Sequence, residues 1–199
     1  TQWAQPCLGA ASMVYLATAR ALGLAATHHA GHSYGELSGL AASGVWTRED
    51  FLAASRIRGL RMAEAATTPG AMLAVRADAD ALQPFLAPGV SLANLNSPTQ
   101  TVLSGEPTAL KGVAAQIGDR YPTKMLDVAT AFHSSIVASA SETVRTDLSK
   151  LQHGVPAVTT WSCMSAQPYR DDNIVDTVAE SVAAPVRFTD TVEAMYAAG

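Results

Sequence analysis

Rings are scarce in this chain: aromatic residues make up 6% of its 199 positions, although 48% are hydrophobic. An apolar content carried by small residues, with Ala and Gly abundant, suits close helix-on-sheet packing better than a disordered tail. Cationic excess is also missing. Thirteen Lys and Arg stand against seventeen Asp and Glu, a net charge of −4 that argues against a nucleic-acid binder. No apolar run approaches the roughly 18 residues of a membrane span. No positively charged n-region or apolar h-region precedes Thr1, so no signal peptide is visible and a cytoplasmic location is expected. The two cysteines, Cys7 and Cys163, read as buried thiols rather than a staple. Internal repeats and low-complexity tracts are absent. The abrupt start at Thr1 and the helical run at the end give the expectation of a piece of something larger, one large lobe plus a small one.

What the chain does have is turn and helix punctuation. Apolar residues at helical spacing predict a helix over 6–22 with Gly23 as its stop, then a short strand near 28–32. Thr47, with Asp50 three residues later, caps a helix running to about Thr67. After the break at Thr68-Pro69-Gly70 the rhythm changes to β-α-β-β-α-β: strand 71–76, helix 78–86, strands 90–95 and 101–104, helix 106–119 and strand 122–128. That order is the ferredoxin-like unit. Asn94 to Gln100 reads as turn chemistry between its middle strands. A helix to about Leu151, a strand over 155–162, a helix over 172–182 and a last helix from Pro185-Val186-Arg187-Phe188 complete the chain. The expected architecture is α/β. A large α/β-hydrolase-like lobe with a parallel sheet (residues 1–69 and 129–199) carries an inserted ferredoxin-like lobe (residues 70–128).

Chemistry concentrates at Gly31-His32-Ser33-Tyr34-Gly35-Glu36. The G-x-S-x-G pattern places a serine on a sharp strand-to-helix turn, where small residues on both sides let strand and helix approach. The following amide, Tyr34 N–H, then points where an oxyanion would form. Of three arginines on the 47–67 helix, Arg56 and Arg61 read as a solvated face. Arg58, beside Gly59, is either solvated too or aimed inward at a substrate anion. His133, after Phe132, reads by itself as a structural residue more readily than as a base. His28 and His29 alternate along a strand and make no metal site, and His153 reads as a loop residue.

Five stretches taken together are similar to one family: Thr1-x-x-x-Gln5-Pro6, Gly31 to Glu36, Arg58-Gly59-x-x-Met62, Ala131-Phe132-His133-Ser134 and Pro185-Val186-Arg187-Phe188. Order and spacing resemble the acyltransferase domain of type I polyketide and fatty acid synthases, the malonyl-CoA:acyl-carrier-protein transacylase family, over the whole chain. The Tyr34 variant and the Thr1–Pro6 opening look like the iterative synthases of enediyne biosynthesis. The resemblance implies Ser33 as nucleophile and His133 as its base. It implies Tyr34 N–H, with Gln5 nearby, at the oxyanion, and Arg58, Phe132, His32 and Gln5 against the substrate. Phe132 marks a malonyl rather than a methylmalonyl pocket. The resemblance also implies malonyl-CoA as substrate with no bound cofactor or metal. Phosphopantetheine would be borne by an acyl carrier protein, with a ketosynthase among neighbouring domains, and Arg170 or Arg187 could meet an acidic carrier surface. Two departures stand out. The family's N-terminal strand and glycine/glutamine-rich loop would lie upstream of Thr1, and Ser181 stands where an Asn or Gln usually orients the histidine through its carbonyl, which leaves a hydroxyl, a water or a backbone carbonyl to take that role. Competing readings are a hydrolase-type serine esterase, whose acid would be Asp127, and a non-catalytic docking lobe.

Overall fold

The computed structural model describes all residues, Thr1–Gly199, as a mixed α/β structure with two sheets. Helix α1 (Ala4–Ala21) leads to a two-residue strand β1 (His28–His29), and the elbow follows into α2 (Gly35–Ala42). Helix α3 (Arg48–Ala65) starts where Thr47 accepts the Asp50 amide, a cap of the kind that contributes about 1 kcal/mol. Strand β1 pairs in parallel with β6 (Thr159–Ser162), His28 opposite Thr159. The sheet is mixed rather than purely parallel, because β6 returns through a hairpin at Ala166 into β7 (Gln167–Pro168), and so short a connection can only make an antiparallel pair. Strand β6 also begins later than expected. Residues 154–157 instead donate to the α2–α3 connection, Gly154 to Val45 and Ala157 to Ser43, and Pro156 has no N–H for a ladder.

The second sheet has the order β3-β4-β2-β5, with every neighbouring pair antiparallel. Its strands are β2 (Ala71–Val75), β3 (Val90–Ser97), β4 (Gln100–Gly105) and β5 (Thr123–Leu126). Helices α4 (Ala79–Leu82) and α5 (Pro107–Ile117) connect them. Leu73, Val75, Leu82, Leu103, Leu110 and Ile117 form a core between this sheet and α5. A separate core joins Leu37, Leu40, Phe51 and Met62 to α6 (Ala140–Leu148) and α7 (Ile174–Glu180). The segment before α8 (Phe188–Ala198) ties the two sheets together: Leu95 N–H donates to Val186 O at 2.8 Å and Val186 N–H to Ala93 O at 2.8 Å, while Arg187 N–H donates at 2.7 Å to the carbonyl of Cys163, directly after β6.

Three expectations change. Cys7 is exposed, since it sits on the outer face of α1, whereas Cys163 is buried; both are free. Arg61 is not simply solvated: it bridges Asp147 on α6 at 2.6 Å and Glu64. The turn expected from Asn94 is shorter, because β3 continues to Ser97.

Candidate active site

Ser33 sits at φ 53° in the turn between β1 and α2, a left-handed conformation that costs a non-glycine residue of order 1–3 kcal/mol. The turn closes because Gly31 has no side chain; a Cβ there would overlap the backbone of Gly35. Gly35 itself faces open space, so the room its position was expected to supply is not used. The Tyr34 amide, at the start of α2, donates to no backbone carbonyl. The Tyr34 ring turns inward, its hydroxyl 2.8 Å from Ser55 Oγ.

One hundred residues later, His133 occupies a second left-handed position, φ 55°, and puts Nε2 at 2.7 Å from Ser33 Oγ. Ser134 braces this bend by donating to Ala131 O at 2.7 Å. Nδ1 of His133 faces two backbone carbonyls, Ala184 at 2.9 Å and Ser181 at 3.2 Å. With both as acceptors, Nδ1 carries the proton and Nε2 is left free to accept from Ser33. The Ser181 hydroxyl is spent on Val178 O at 2.8 Å, so the residue contributes its carbonyl and not its side chain. Carbonyls at a helix C-terminus are the unpaired ones, which is why the end of α7 can hold an imidazole without Asn or Gln.

Arg58 is 1% exposed. Its helix approaches the start of α1 closely at Gly59, where a Cβ would press on Thr1 and Gln2. The guanidinium donates to Gln5 Oε1 at 3.1 Å and lies 3.4 Å from Ser33 Oγ, while its Nε has no partner. No carboxylate forms an ion pair with it, in contrast to Arg61, Arg145, Arg170 and Arg187. Burial pulls the Arg58 pKa down and the more distant Glu36 pulls it up. Burial, with Arg58 nearby, lowers the His133 pKa to about 4, so the imidazole is neutral at physiological pH.

Ser33, His133, Arg58, Gln5, Phe132 and His32 all line one cleft of about 340 Å³. A larger cavity of about 450 Å³ between α1, α2 and α3 is mostly apolar and holds neither nucleophile nor base.

A sequence profile described as the acyl transferase domain matches residues 1–199. The chain belongs to the acyl transferase domain family. This acyl transferase domain is 32% identical over 200 residues to the polyketide biosynthesis protein ThaF of Burkholderia thailandensis, covering 96% of the chain but 17% of ThaF. It is 30% identical over 201 residues to the polyketide biosynthesis malonyl CoA-acyl carrier protein transacylase BaeC of Bacillus velezensis, covering 96% of the chain and 69% of BaeC. Among solved structures, the acyltransferase domain of the iterative polyketide synthase in enediyne biosynthesis superposes with a TM-score of 0.89 at 30% identity, over 95% of this chain and 52% of that one. The domain thus spans a small part of some relatives and about two thirds of others.

Within the acyl transferase domain, most residues expected at the site meet there, whereas Asp127, Arg170 and Arg187 lie outside the cleft. Gln5 faces the cleft with its side chain, while its N–H donates to Thr1 O at 3.1 Å at the start of α1. His32 lies at the mouth, its Nε2 2.7 Å from Asn96 Oδ1 and its ring 5.4 Å from that of Phe188. Asp127 is exposed beyond β5 and makes no bond to His133. Arg170 and Arg187 are each paired with a neighbouring carboxylate, Asp172 and Asp190. Sequence reasoning missed Asn94 and Asn96, which share one face of β3 and line the cleft. Their spacing of two was the available signal. It also missed Glu36, 1% exposed, whose carboxylate accepts from the Tyr169 hydroxyl at 2.5 Å.

Proposed function

We propose that this acyl transferase domain moves a malonyl group from malonyl-CoA, through an ester on Ser33, to the phosphopantetheine thiol of an acyl carrier protein in polyketide biosynthesis. The observation that carries the reading is the convergence of a hydroxyl, a neutral imidazole at 2.7 Å and a buried guanidinium at 3.4 Å in one cleft.

His133 Nε2 takes the proton as Ser33 Oγ attacks the thioester carbon. The Tyr34 amide, at the N-terminus of α2, faces the developing oxyanion. The carbonyls of Ser181 and Ala184 hold the imidazolium formed. The C–S bond then breaks and the thiolate of CoA takes the proton from His133. In the second half the carrier's thiol gives its proton to His133, attacks the serine ester, and Ser33 recovers its hydrogen. Arg58 binds the free carboxylate of malonyl, for which its fork of donors is suited. Phe132 crowds an α-methyl branch, a preference worth about 1–3 kcal/mol. His32 and Gln5 shape the cleft around these groups.

Two lobes frame the site in this reading. An α/β-hydrolase-like lobe (residues 1–69 and 129–199) carries Ser33 and His133, and a ferredoxin-like lobe (residues 70–128) closes the cleft with β3. The β3-β4-β2-β5 order and the two separate cores support that division. The esterase reading is weakened because His133 Nδ1 faces carbonyls and no acid.

The full-length protein incubated with malonyl-labelled malonyl-CoA should pass the label to carrier protein bearing phosphopantetheine and not to the unmodified carrier. Release of free malonate in place of transfer would support the esterase, and carrier binding without acylation a docking lobe. A protonated imidazole cannot accept the serine proton, so acylation should be lost as pH falls through about 4. An acid limb near pH 6.5 would show that His133 titrates as an ordinary imidazole.

A further inference from the structure

Glu36 and Arg58 are the only Asp, Glu, Lys or Arg side chains buried in the protein. They come from neighbouring helices, α2 and α3, yet form no ion pair. Arg58 keeps one nitrogen without a partner and turns the others toward the cleft. Glu36 lies on the other side of the elbow turn, against the β6–β7 hairpin, bonded to Tyr169. Across this layer the two charges sum to zero. The acyl-transfer reading above, on which this inference rests, brings a second carboxylate to Arg58. The buried layer would then hold two anions and one cation, which a poorly solvated interior opposes.

We infer that Glu36 is a charge-balancing residue: it takes a proton from solvent when a dicarboxylic acyl group enters beside Arg58, and returns it when the group leaves. Three arguments support this. The substrate carboxylate would touch the guanidinium and stay ionised, so the remote carboxylate is the one that yields. The Tyr169 hydroxyl can donate to Glu36 when it is ionised and accept from it when it is protonated, so neither state orphans the bond. Finally, Glu36 is poised for the change: burial raises its pKa to about 7 against the pull of Tyr169, Ser162 and Arg58.

The other buried and half-buried groups packed around it are shifted away from that range. Cys163, after β6, is pushed up to about 12 by burial, and Tyr169, after β7, well above its ordinary value. Burial also raises Tyr34 at the elbow and lowers His29 on β1, and His133 lies at about 4. Helix α1 offers only the exposed Cys7, Tyr15 and Arg20.

The consequence is a pH-dependent substrate preference. In the full-length protein, kcat/KM for acylation by malonyl-CoA relative to acetyl-CoA should fall about fivefold from about pH 6 to about pH 9, at the low end of site-to-site coupling, centred near the Glu36 pKa. The loss should lie in KM and not in kcat. Acetyl-CoA carries the same CoA phosphates and corrects for their titration. Removing the Tyr169 hydrogen bond with Tyr169→Phe should shift the midpoint to higher pH. Glu36→Gln should flatten the ratio. A pH-independent ratio in the unmodified protein, with Ser33 still acylated by malonyl-CoA, overturns the inference while leaving the acyl-transfer reading intact. Absence of acylation at every pH overturns both.

Discussion

Replacing His133 with Ala should lower kcat for acylation of Ser33 by about 10²–10⁴-fold, the range that a positioned general base contributes, with little change in KM. The imidazole is the only base within reach of Ser33 Oγ, at 2.7 Å, and no acid stands behind it to take over. The variant leaves the carbonyls of Ser181 and Ala184 without a donor, an unsatisfied-acceptor cost of about 1–3 kcal/mol. A thermal melt should therefore accompany the kinetics. Steady-state rates with malonyl-CoA check the expectation, and a kcat within a few-fold of the parent in a folded variant would remove His133 from the base role.

Arg58→Ala should collapse selection between acyl groups. Truncating one partner of a buried, hydrogen-bonded charge pair costs about 2–5 kcal/mol, which converts to roughly 30- to several-thousand-fold in kcat/KM for malonyl-CoA. Acetyl-CoA has no carboxylate for the guanidinium and should lose far less, so the malonyl-to-acetyl ratio should fall by most of that factor. The fold should tolerate the change, because Glu36 is already near its titration point and can stay protonated once its cationic neighbour is gone. Competition between the two thioesters, read as the mass of the adduct, decides the matter. An unchanged ratio would show that the carboxylate is held elsewhere.

The elbow was legible in the sequence because its requirements are local. A strained serine needs a bare neighbour, and Gly31 provides it within two positions. Helices α1 and α3 were legible for the same reason, through period and caps. Strands β1 and β7, two residues each, carry no period of their own and exist only because β6 lies between them. Arg58 shows how far a single helix can be read. Phe51, Ser55, Arg58 and Met62 fall on one buried stripe, whereas Arg56 lies off it, so helical phase separates the inward arginine from the solvated one. What holds His133 was legible only as alternatives, because Ser181 left a hydroxyl, a water or a backbone carbonyl able to face the imidazole. The structure uses carbonyls of the chain turning out of α7, a feature every residue shares and no residue type marks. Asn94 and Asn96 were taken for turn residues because asparagine favours turns. In β3 their alternation aims both at the cleft, and only the packing of β3 against the elbow reveals it.

The ester on Ser33 is the most direct test of all. After brief exposure of the full-length protein to malonyl-CoA, intact-mass and peptide analysis should find one malonyl group on the peptide bearing Ser33, and none in a Ser33→Ala variant. An unmodified parent protein, or an adduct that persists when Ser33 is replaced, would contradict the account at its root.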